Sequence, residues 1–355
     1  MAIEDADGRV LFFSRGRGRG HAVPDMAIAA ELERLSPGVN IQFVSYATGA
    51  RTLAAGGYDV IDLTLPEEPP FLDVLVRSAH CIRTLQPRAV VSHEEFAVLP
   101  AAAGLGIPSA MIVDFFMPND NIWMQSLAFA ERIVFIEERG IFPEPPHARG
   151  KVAYVGPVVR PMSVDRAKRD EYRDELELPR TATVIAVMPG SFATERRAPI
   201  ADVVLPAFQA LSASNKRLVW LAGEDYEKLA ERSKAIPEVI ISRGASSPER
   251  LMIASDLVIT KANRGTTIEL AALGIPSLSL SFGLNPIDET IIPRIVTNRR
   301  LDARGIDGAF LAASLESILA SPAGGPPAPG YGVGSAHSAA REVAGFLARH
   351  LQPTK

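Results

Sequence analysis

Along the chain, short apolar runs rich in β-branched and aromatic residues alternate with longer stretches whose apolar positions recur at helical spacing. RVLFF (9–13) predicts a strand and AVPDMAIAAELERL (22–35) a helix. Further strands are expected at NIQFVSY (40–46), YDVIDL (58–63), RAVVSH (88–93), SAMIVDF (109–115) and RIVFI (132–136). Helices are expected between them at TGARTLAAGG (48–57), LDVLVRSAHCIRTL (72–85), FAVLPAAAGLG (96–106) and NIWMQSLAFA (121–130). Apolar strands alternating with amphipathic helices predict a mostly parallel sheet covered on both faces. A strand ending at Gly156-Pro157 then gives way to charged, proline-bearing sequence, which marks a domain boundary. The alternation restarts at TVIAVMPG (183–190) and runs to PSLSLSF (276–282), and a Gly/Pro-rich loop precedes a last amphipathic helix, SAHSAAREVAGFLARHL (335–351). The expected fold class is α/β, with two Rossmann-like doubly wound domains, 1–158 and 159–334, facing across a cleft. The helix within 335–355 is expected to cross back to the first domain. Ligands in such sheets bind at the carboxyl ends of the strands.

A length of 355 residues suits two domains rather than one core. The balance of 37 basic and 41 acidic residues leaves a net charge of −4, which argues against a nucleic-acid binder, since that role asks for a basic domain. The single cysteine, Cys81, excludes a disulfide framework or a cysteine metal cluster and fits a reducing cytoplasmic setting. The opening MAIEDADGRV is acidic and polar, unlike a secretory signal. The longest uncharged stretch, FAVLPAAAGLGIPSAMIV (96–113), is interrupted by Pro100 and Pro108, so no membrane span is expected. Peripheral contact with the inner face of a membrane stays open.

The first candidate chemistry lies in SRGRGRGH (14–21), where Gly16, Gly18 and Gly20 alternate with Arg15, Arg17 and Arg19. A dinucleotide fingerprint fails here: its third glycine is replaced by His21, and the second strand ends without the acid that would hold a ribose. A P-loop fails too, because His-Ala stands where Lys-Ser/Thr is needed. Arginine-glycine segments that bind nucleic acid are longer and disordered. A tight strand-to-helix turn explains the glycines. It leaves unexplained the histidine at the start of a helix whose exposed amides suit an anion.

The second lies in SDLVITKANRGTTIELAALGIPSLSLSF (255–282). A strand enters a small-residue turn, Ala262–Thr267, and Gly265, Thr266 and Thr267 offer amides and hydroxyls to a phosphate. Glu269 is expected in the first turn of the next helix, placed to accept from a ribose diol. Thr266 and Glu269 also fit a capping box, and both readings can hold together.

With these residues in view, the chain resembles the GT-B glycosyltransferases of the UDP-glycosyltransferase superfamily, most closely the MurG-like group, over nearly its whole length. The resemblance rests on Gly20-His21 followed by Pro24, on ITKANRGTTIELAALGIPSL, on VGPVVRP (155–161) and on MPGSFAT (188–194). It implies transfer of a sugar from a nucleotide-sugar, a UDP-sugar, to an acceptor hydroxyl, with inversion at the anomeric carbon and with neither metal nor cofactor. It assigns the nucleotide-sugar to the second domain. The base would meet the turn at Gly244 and Ala245, and the ribose would meet Glu269. The diphosphate would meet Ser191, Arg264, Gly265 and Thr266, with Arg160 at the group's phosphate-contacting arginine and Gly190 in its second phosphate loop. Thr267 and Asn263 complete the donor site, Asn263 and Arg264 standing where relatives carry glycine and small residues. Asp288 and Glu289 fall where the group reads the donor sugar's hydroxyls. They are two acids where the MurG-like group carries an amide pair, which implies a neutral donor sugar.

Inverting transfer needs a base for the acceptor hydroxyl. The resemblance assigns it to the first domain, with His21 first, Asp114 second, and Glu94 with Glu95 third. The departing diphosphate can be stabilised by amides and a helix dipole, and no Asp-x-Asp pair suggests a metal. Arg15, Arg17 and Arg19 can meet an acceptor phosphate or solvent equally well. The acceptor is a lipid-linked sugar, a small molecule or a glycan. Two other readings stay open: a UDP-sugar hydrolase or epimerase on the same fold, and a non-catalytic sugar-nucleotide-binding or partner subunit.

Overall fold

The computed structural model describes residues 8–117, 121–190, 199–245, 247–283, 298–320 and 334–351. The chain forms two compact units: Met1–Pro161 with Gly332–Lys355, and Met162–Tyr331.

The first unit is built on β1 (Arg9–Ser14), β2 (Asn40–Ser45), β3 (Val60–Asp62), β4 (Ala89–His93), β5 (Ser109–Val113), β6 (Arg132–Phe135) and β7 (Val152–Tyr154). They pair in parallel in the order β3-β2-β1-β4-β5-β6-β7. The order reverses between β1 and β4, and their ends lie level, with Ser14 opposite His93. Strand residues alternate between the faces, as a two-residue period requires. Val10, Phe12, Val91 and Ile112 pack into one core, while Leu11, Phe13 and Val90 pack into another.

Helices cover both faces: α1 (Ala22–Leu35), α2 (Ala47–Ala55), α3 (Phe71–Leu85), α4 (Val98–Gly104) and α5 (Ile122–Ser126). The NIWMQSLAFA segment is shorter than one helix; α5 passes into a 3-10 turn at Leu127–Phe129. In α1, Asp25, Ile28, Ala29 and Leu32 are buried at three- and four-residue spacing, with Pro24 in the first turn where it breaks no helical bond.

The second unit carries β8 (Thr183–Val187), β9 (Lys216–Leu221), β10 (Val239–Ser242), β11 (Leu257–Lys261), β12 (Ser277–Ser281) and β13 (Asn298–Asp302), parallel in the order β10-β9-β8-β11-β12-β13. The reversal falls between β8 and β11. Its helices are α6 (Arg169–Glu175), α7 (Ile200–Ala210), α8 (Tyr226–Ser233), α9 (Pro248–Ala254), α10 (Arg264–Leu273) and α11 (Gly308–Ala320). On one face α7 and α11 pack on Ile185, Val187, Trp220 and Ile259; on the other, Tyr172 and α9 pack on Val184, Ala186 and Val258.

Two features, the helix in the charged stretch and the position of the passage between units, differ from the expectation. The charged stretch after Gly156-Pro157 is more than a connector, because it contains α6, where Tyr172 and Arg173 are buried. The Arg173 guanidinium donates to the carbonyls of Ala254 (2.8 Å), Arg180 (2.6 Å) and Ala182 (2.9 Å) and to Asp256 Oδ2 (2.9 Å), which is how so polar a group sits in a core. The passage between units falls at Pro161–Met162, a few residues beyond 158, so Arg160 belongs to the first unit. The last helix, α12 (Gly334–His350), also belongs to the first unit. Its Ala339, Ala340, Val343, Phe346 and Leu347 enter the core beside Ile28 and Leu32 of α1. Glu342 holds Arg132 (3.0 Å to Nε) and His337 holds Glu31 (2.9 Å).

Candidate active site

His21 and Glu94 in the first unit, and Gly190 and Asn263–Thr267 in the second, follow the two strands that flank each sheet reversal, the place where such sheets open a crevice for ligands.

In the first unit the loop after β1 folds onto the end of β4. The three loop glycines serve different purposes. A Cβ on Gly16 would lie 2.3 Å from both Cδ2 and the carbonyl oxygen of the buried Tyr46, so only glycine fits the approach. Gly18 adopts φ +61°, and its N–H donates to Glu67 Oε2 at 2.8 Å. A Cβ on Gly20 would meet nothing within 4 Å.

His21 stands immediately before α1, and its Nε2 lies 3.0 Å from Glu94 Oε2. Glu94 is buried, and its other oxygen accepts from the backbone N–H of Asp114 at 3.0 Å. Arg15 approaches the same carboxylate at 3.9 Å. The His21 side chain is 13% exposed, and its Nδ1 is buried without a hydrogen-bond partner.

Behind this pair lies a second histidine. His93, at the end of β4, is completely buried; its Nδ1 is 2.6 Å from Asp25 Oδ1 and its Nε2 is 3.2 Å from Asp114 Oδ1. Its ring meets that of His21 edge to face, with centroids 4.8 Å apart. Burial pushes the His93 pKa down, but the carboxylates of Asp25 and Asp114 outweigh it and raise it to about 10. His93 is therefore an imidazolium at neutral pH, clamped between two carboxylates. Asp25 lies in the first turn of α1, where the helix dipole favours an anion. Glu95 accepts from the Tyr46 hydroxyl at 2.7 Å, and burial raises its carboxyl above the usual range.

The structure thus brings His21, Glu94 and Asp114 into one network. Asp114 contacts His93 rather than His21, and Glu94 is the carboxylate that orients the His21 ring. Neither His93 nor Asp25 is among the residues singled out by motif. The β1–β4 adjacency of a doubly wound sheet is the signal that places His93 beside the glycine loop. His21, His93 and Asp114 each bring a ligand-type atom within 4.8 Å of the others, and are the described residues that could hold a metal; hydrogen bonds already engage all three. Arg17 pairs with Glu68 at 3.0 Å, and Arg19 is exposed.

In the second unit, Gly190 follows β8 with φ +94°, and a Cβ there would lie 3.8 Å from Asn263 Nδ2 and from the Lys261 side chain. The turns after β8 and β11 are therefore in contact. Asn263, not Thr266, caps α10. Its side chain accepts from Thr266 N–H at 3.1 Å and donates to Thr260 Oγ1 at 2.8 Å. The helix begins at Arg264, so Glu269 falls beyond its first turn. Asparagine wins the cap because its short carbonyl reaches the third amide ahead.

Thr267 is fully buried, and its hydroxyl donates to Asn263 O at 2.6 Å. Gly265 is exposed, Thr266 and Glu269 are half-buried, and Arg264 is largely buried. Gly244 and Ala245 follow β10, the edge strand two places from β8. Ser191, Asp288 and Glu289 lie outside the described residues.

Comparison with known proteins places this architecture. The sequence model of the lipid-A-disaccharide synthetase family matches residues 141–300. The UDP-N-acetylglucosamine–N-acetylmuramyl-(pentapeptide) pyrophosphoryl-undecaprenol N-acetylglucosamine transferase of Desulforudis audaxviator is 26% identical over 77% of this chain and 78% of its own. MurG of Acinetobacter baumannii superposes with a TM-score of 0.64 at 15% identity, over 96% of this chain and 99% of that one. The UDP-GlcNAc 2-epimerase of Neisseria meningitidis does so with a TM-score of 0.64 at 15% identity, over 96% and 100%. Two parallel-sheet units of this strand order are those of the GT-B fold. Within that fold the epimerase likeness is one of shape alone, whereas the sequence likeness runs to the transferases. The chain is a glycosyltransferase, similar in sequence to the MurG-type N-acetylglucosamine transferases.

Proposed function

We propose that the protein transfers a sugar from a UDP-sugar to an acceptor hydroxyl, with inversion and without a metal, using His21 as the general base. The His21–Glu94 pair carries this reading: a histidine closing a glycine loop, with its ring nitrogen 3.0 Å from a buried carboxylate. Such a carboxylate fixes the ring and stabilises the imidazolium formed as the acceptor loses its proton. The donor belongs on the second unit. There the capped start of α10 and the Gly190 turn present backbone amides to a diphosphate, and Glu269 serves the ribose. Charge developing on the leaving UDP is met by those amides and by the helix dipole.

No described helix is long and apolar enough to cross a membrane. Leu72 and Val76 stand exposed one turn apart on α3, and we assign them to peripheral contact with a membrane on the cytoplasmic side.

Thermal-shift screening against UDP-, TDP- and GDP-sugars tests the donor, because a ligand that binds the folded state raises the melting temperature. UDP-sugars should stabilise; stabilisation by GDP- or TDP-sugars alone overturns the donor assignment. Product analysis separates the chemistries: free sugar plus UDP without acceptor marks a hydrolase, an isomerised UDP-sugar an epimerase, and binding without turnover a non-catalytic subunit. His21→Ala should slow transfer at least about a hundredfold with donor affinity unchanged.

A further inference from the structure

The glycine loop is held by a segment far from it in sequence. At one end Gly16 O accepts from Gly49 N–H at 2.9 Å, and at the other Arg19 O accepts from Val23 N–H at 3.2 Å, in the first turn of α1. Between these anchors stands Gly18, buried and in the left-handed region at φ +61°. Glycine has the widest choice of backbone conformations, so whatever fixes Gly18 fixes the loop. Its N–H donates to Glu67 Oε2 at 2.8 Å. The other oxygen, Oε1, accepts from the backbone N–H of Thr48 at 3.2 Å and from the Thr48 hydroxyl. One carboxylate thus satisfies both the loop amide and the first turn of α2, whose cap residue Tyr46 supplies no side-chain bond.

Glu67 is presented by TLPEEPP (64–70), between β3 and α3. Pro66, Pro69 and Pro70 restrict this segment even before folding, so little freedom is lost in presenting the side chain. The neighbouring contact is of another kind. Arg17 pairs with Glu68 at 3.0 Å with both side chains open to water, and such pairs contribute little. The bonds to Glu67 are charge-assisted and reach backbone amides, that of Gly18 being buried. A buried amide left without its partner is costly.

The geometry carries to His21. Only Arg19 and Gly20 separate it from Gly18, and Gly20 has open space where a Cβ would stand. His21 Nε2 lies 3.0 Å from Glu94 Oε2, and a displacement of about 1 Å takes such a pair beyond hydrogen-bond length. We propose that Glu67 is a positioning residue: its carboxylate serves as a built-in anion for the amides of the glycine loop and α2, and through the loop it keeps His21 on Glu94. The assignment rests on the transferase reading for the purpose of that alignment and on the hydrogen bonds alone for the alignment itself.

Two measurements on the full chain test it. The first needs no substrate: carbethoxylation of His21 by diethyl pyrocarbonate, located by peptide mass spectrometry. Its rate should rise about tenfold in Glu67→Ala, the equivalent of one charge-assisted hydrogen bond lost from the closed loop. Acetate, which matches the missing part of the side chain, should bring the rate back down. His350, on α12, is the internal reference. An unchanged His21 rate, or an equal rise at His350, overturns the proposal.

The second measurement is turnover of a UDP-sugar. Glu67→Ala should slow transfer about ten- to a hundredfold, yet change it less than about twofold in a His21→Ala background, where no base is left to align. Equal losses in the two backgrounds overturn the positioning role. Glu67→Gln keeps the shape but sets an NH2 group against one of the two backbone N–H donors. It should follow Glu67→Ala in both measurements, without rescue by acetate, and it carries the test should Glu67→Ala not fold. Failure of the wild-type chain to turn over any UDP-sugar refutes transfer and leaves the His21 modification rate to decide the Glu67 contact.

Discussion

Replacing His93 by glutamine removes the cation clamped between two carboxylates. Asp25 has no exposed surface, its Oδ1 sits 2.6 Å from His93 Nδ1, and its Oδ2 is buried without a hydrogen-bond partner. Asp114 Oδ1 lies 3.2 Å from the opposite ring nitrogen. At an effective dielectric of about 20, each contact carries a gross attraction of about 5–6 kcal/mol, most of it offset by the cost of stripping water from the ions. Removing one partner leaves that cost uncompensated, so His93→Gln should destabilise the first unit by about 3–5 kcal/mol. For a unit of this size each kcal/mol is worth about 2–4 °C, and the melting temperature should fall by about 6–20 °C in scanning calorimetry. The folded pKa of His93 is raised above the ordinary 6.5, to about 10. Its stabilisation is therefore fully present below about pH 6.5 and is lost as pH rises through about 10. The gap between wild type and His93→Gln should be widest near pH 6 and narrow toward pH 10. Asp25→Asn added to His93→Gln should recover part of the loss, since the completely buried carboxylate is then no longer left without its cation. A fall of less than about 3 °C, or a gap that widens with pH, would refute the clamped imidazolium.

Three other outcomes follow from the same geometry. Glu94→Gln turns an acceptor toward His21 into an amide of the same shape; turnover should drop about a hundredfold through misplacement of the base, with donor affinity held, and a loss under threefold would remove Glu94 from that role. Gly16→Ala forces a methyl group to within 2.3 Å of Tyr46 and should cost about 1–3 kcal/mol in urea unfolding, while Gly20→Ala, which meets nothing, should change stability by less than about 0.5 kcal/mol. Asn263→Ala should cost about 1 kcal/mol through loss of the α10 cap and should weaken donor binding in calorimetry; undiminished affinity would separate the cap from the nucleotide site.

The β/α alternation was legible because strands buried on both faces are continuous apolar runs, and helices such as 22–35 carry their buried residues at one spacing. The ends of these elements were legible where glycine or proline punctuates them. Long-range polar pairing was not. His93 meets Asp25 across 68 residues and Glu94 meets His21 across 73, and neither spacing has a local signature. Arg173 lies in the charged stretch read as a domain boundary; it is buried on backbone carbonyls and on Asp256, 83 residues away, and neither kind of partner leaves a local trace in the sequence. Local capping misled at Thr266: the Thr266–Glu269 spacing fits a capping box, but the Asn263 side chain, three residues earlier, takes the cap.

Because α12 completes the core beside α1, the first unit is assembled from both ends of the chain, with the whole second unit inserted between them. During synthesis the nascent sheet of the first unit emerges early yet keeps an open apolar face over Ile28 and Leu32 until Val343, Phe346 and Leu347 leave the ribosome. The inserted unit has its full sequence before that moment and can mature first. The vulnerable interval is thus the time the ribosome takes to translate and release the sequence from residue 162 to Leu347, when an unsealed half-core is exposed to chaperones and proteases.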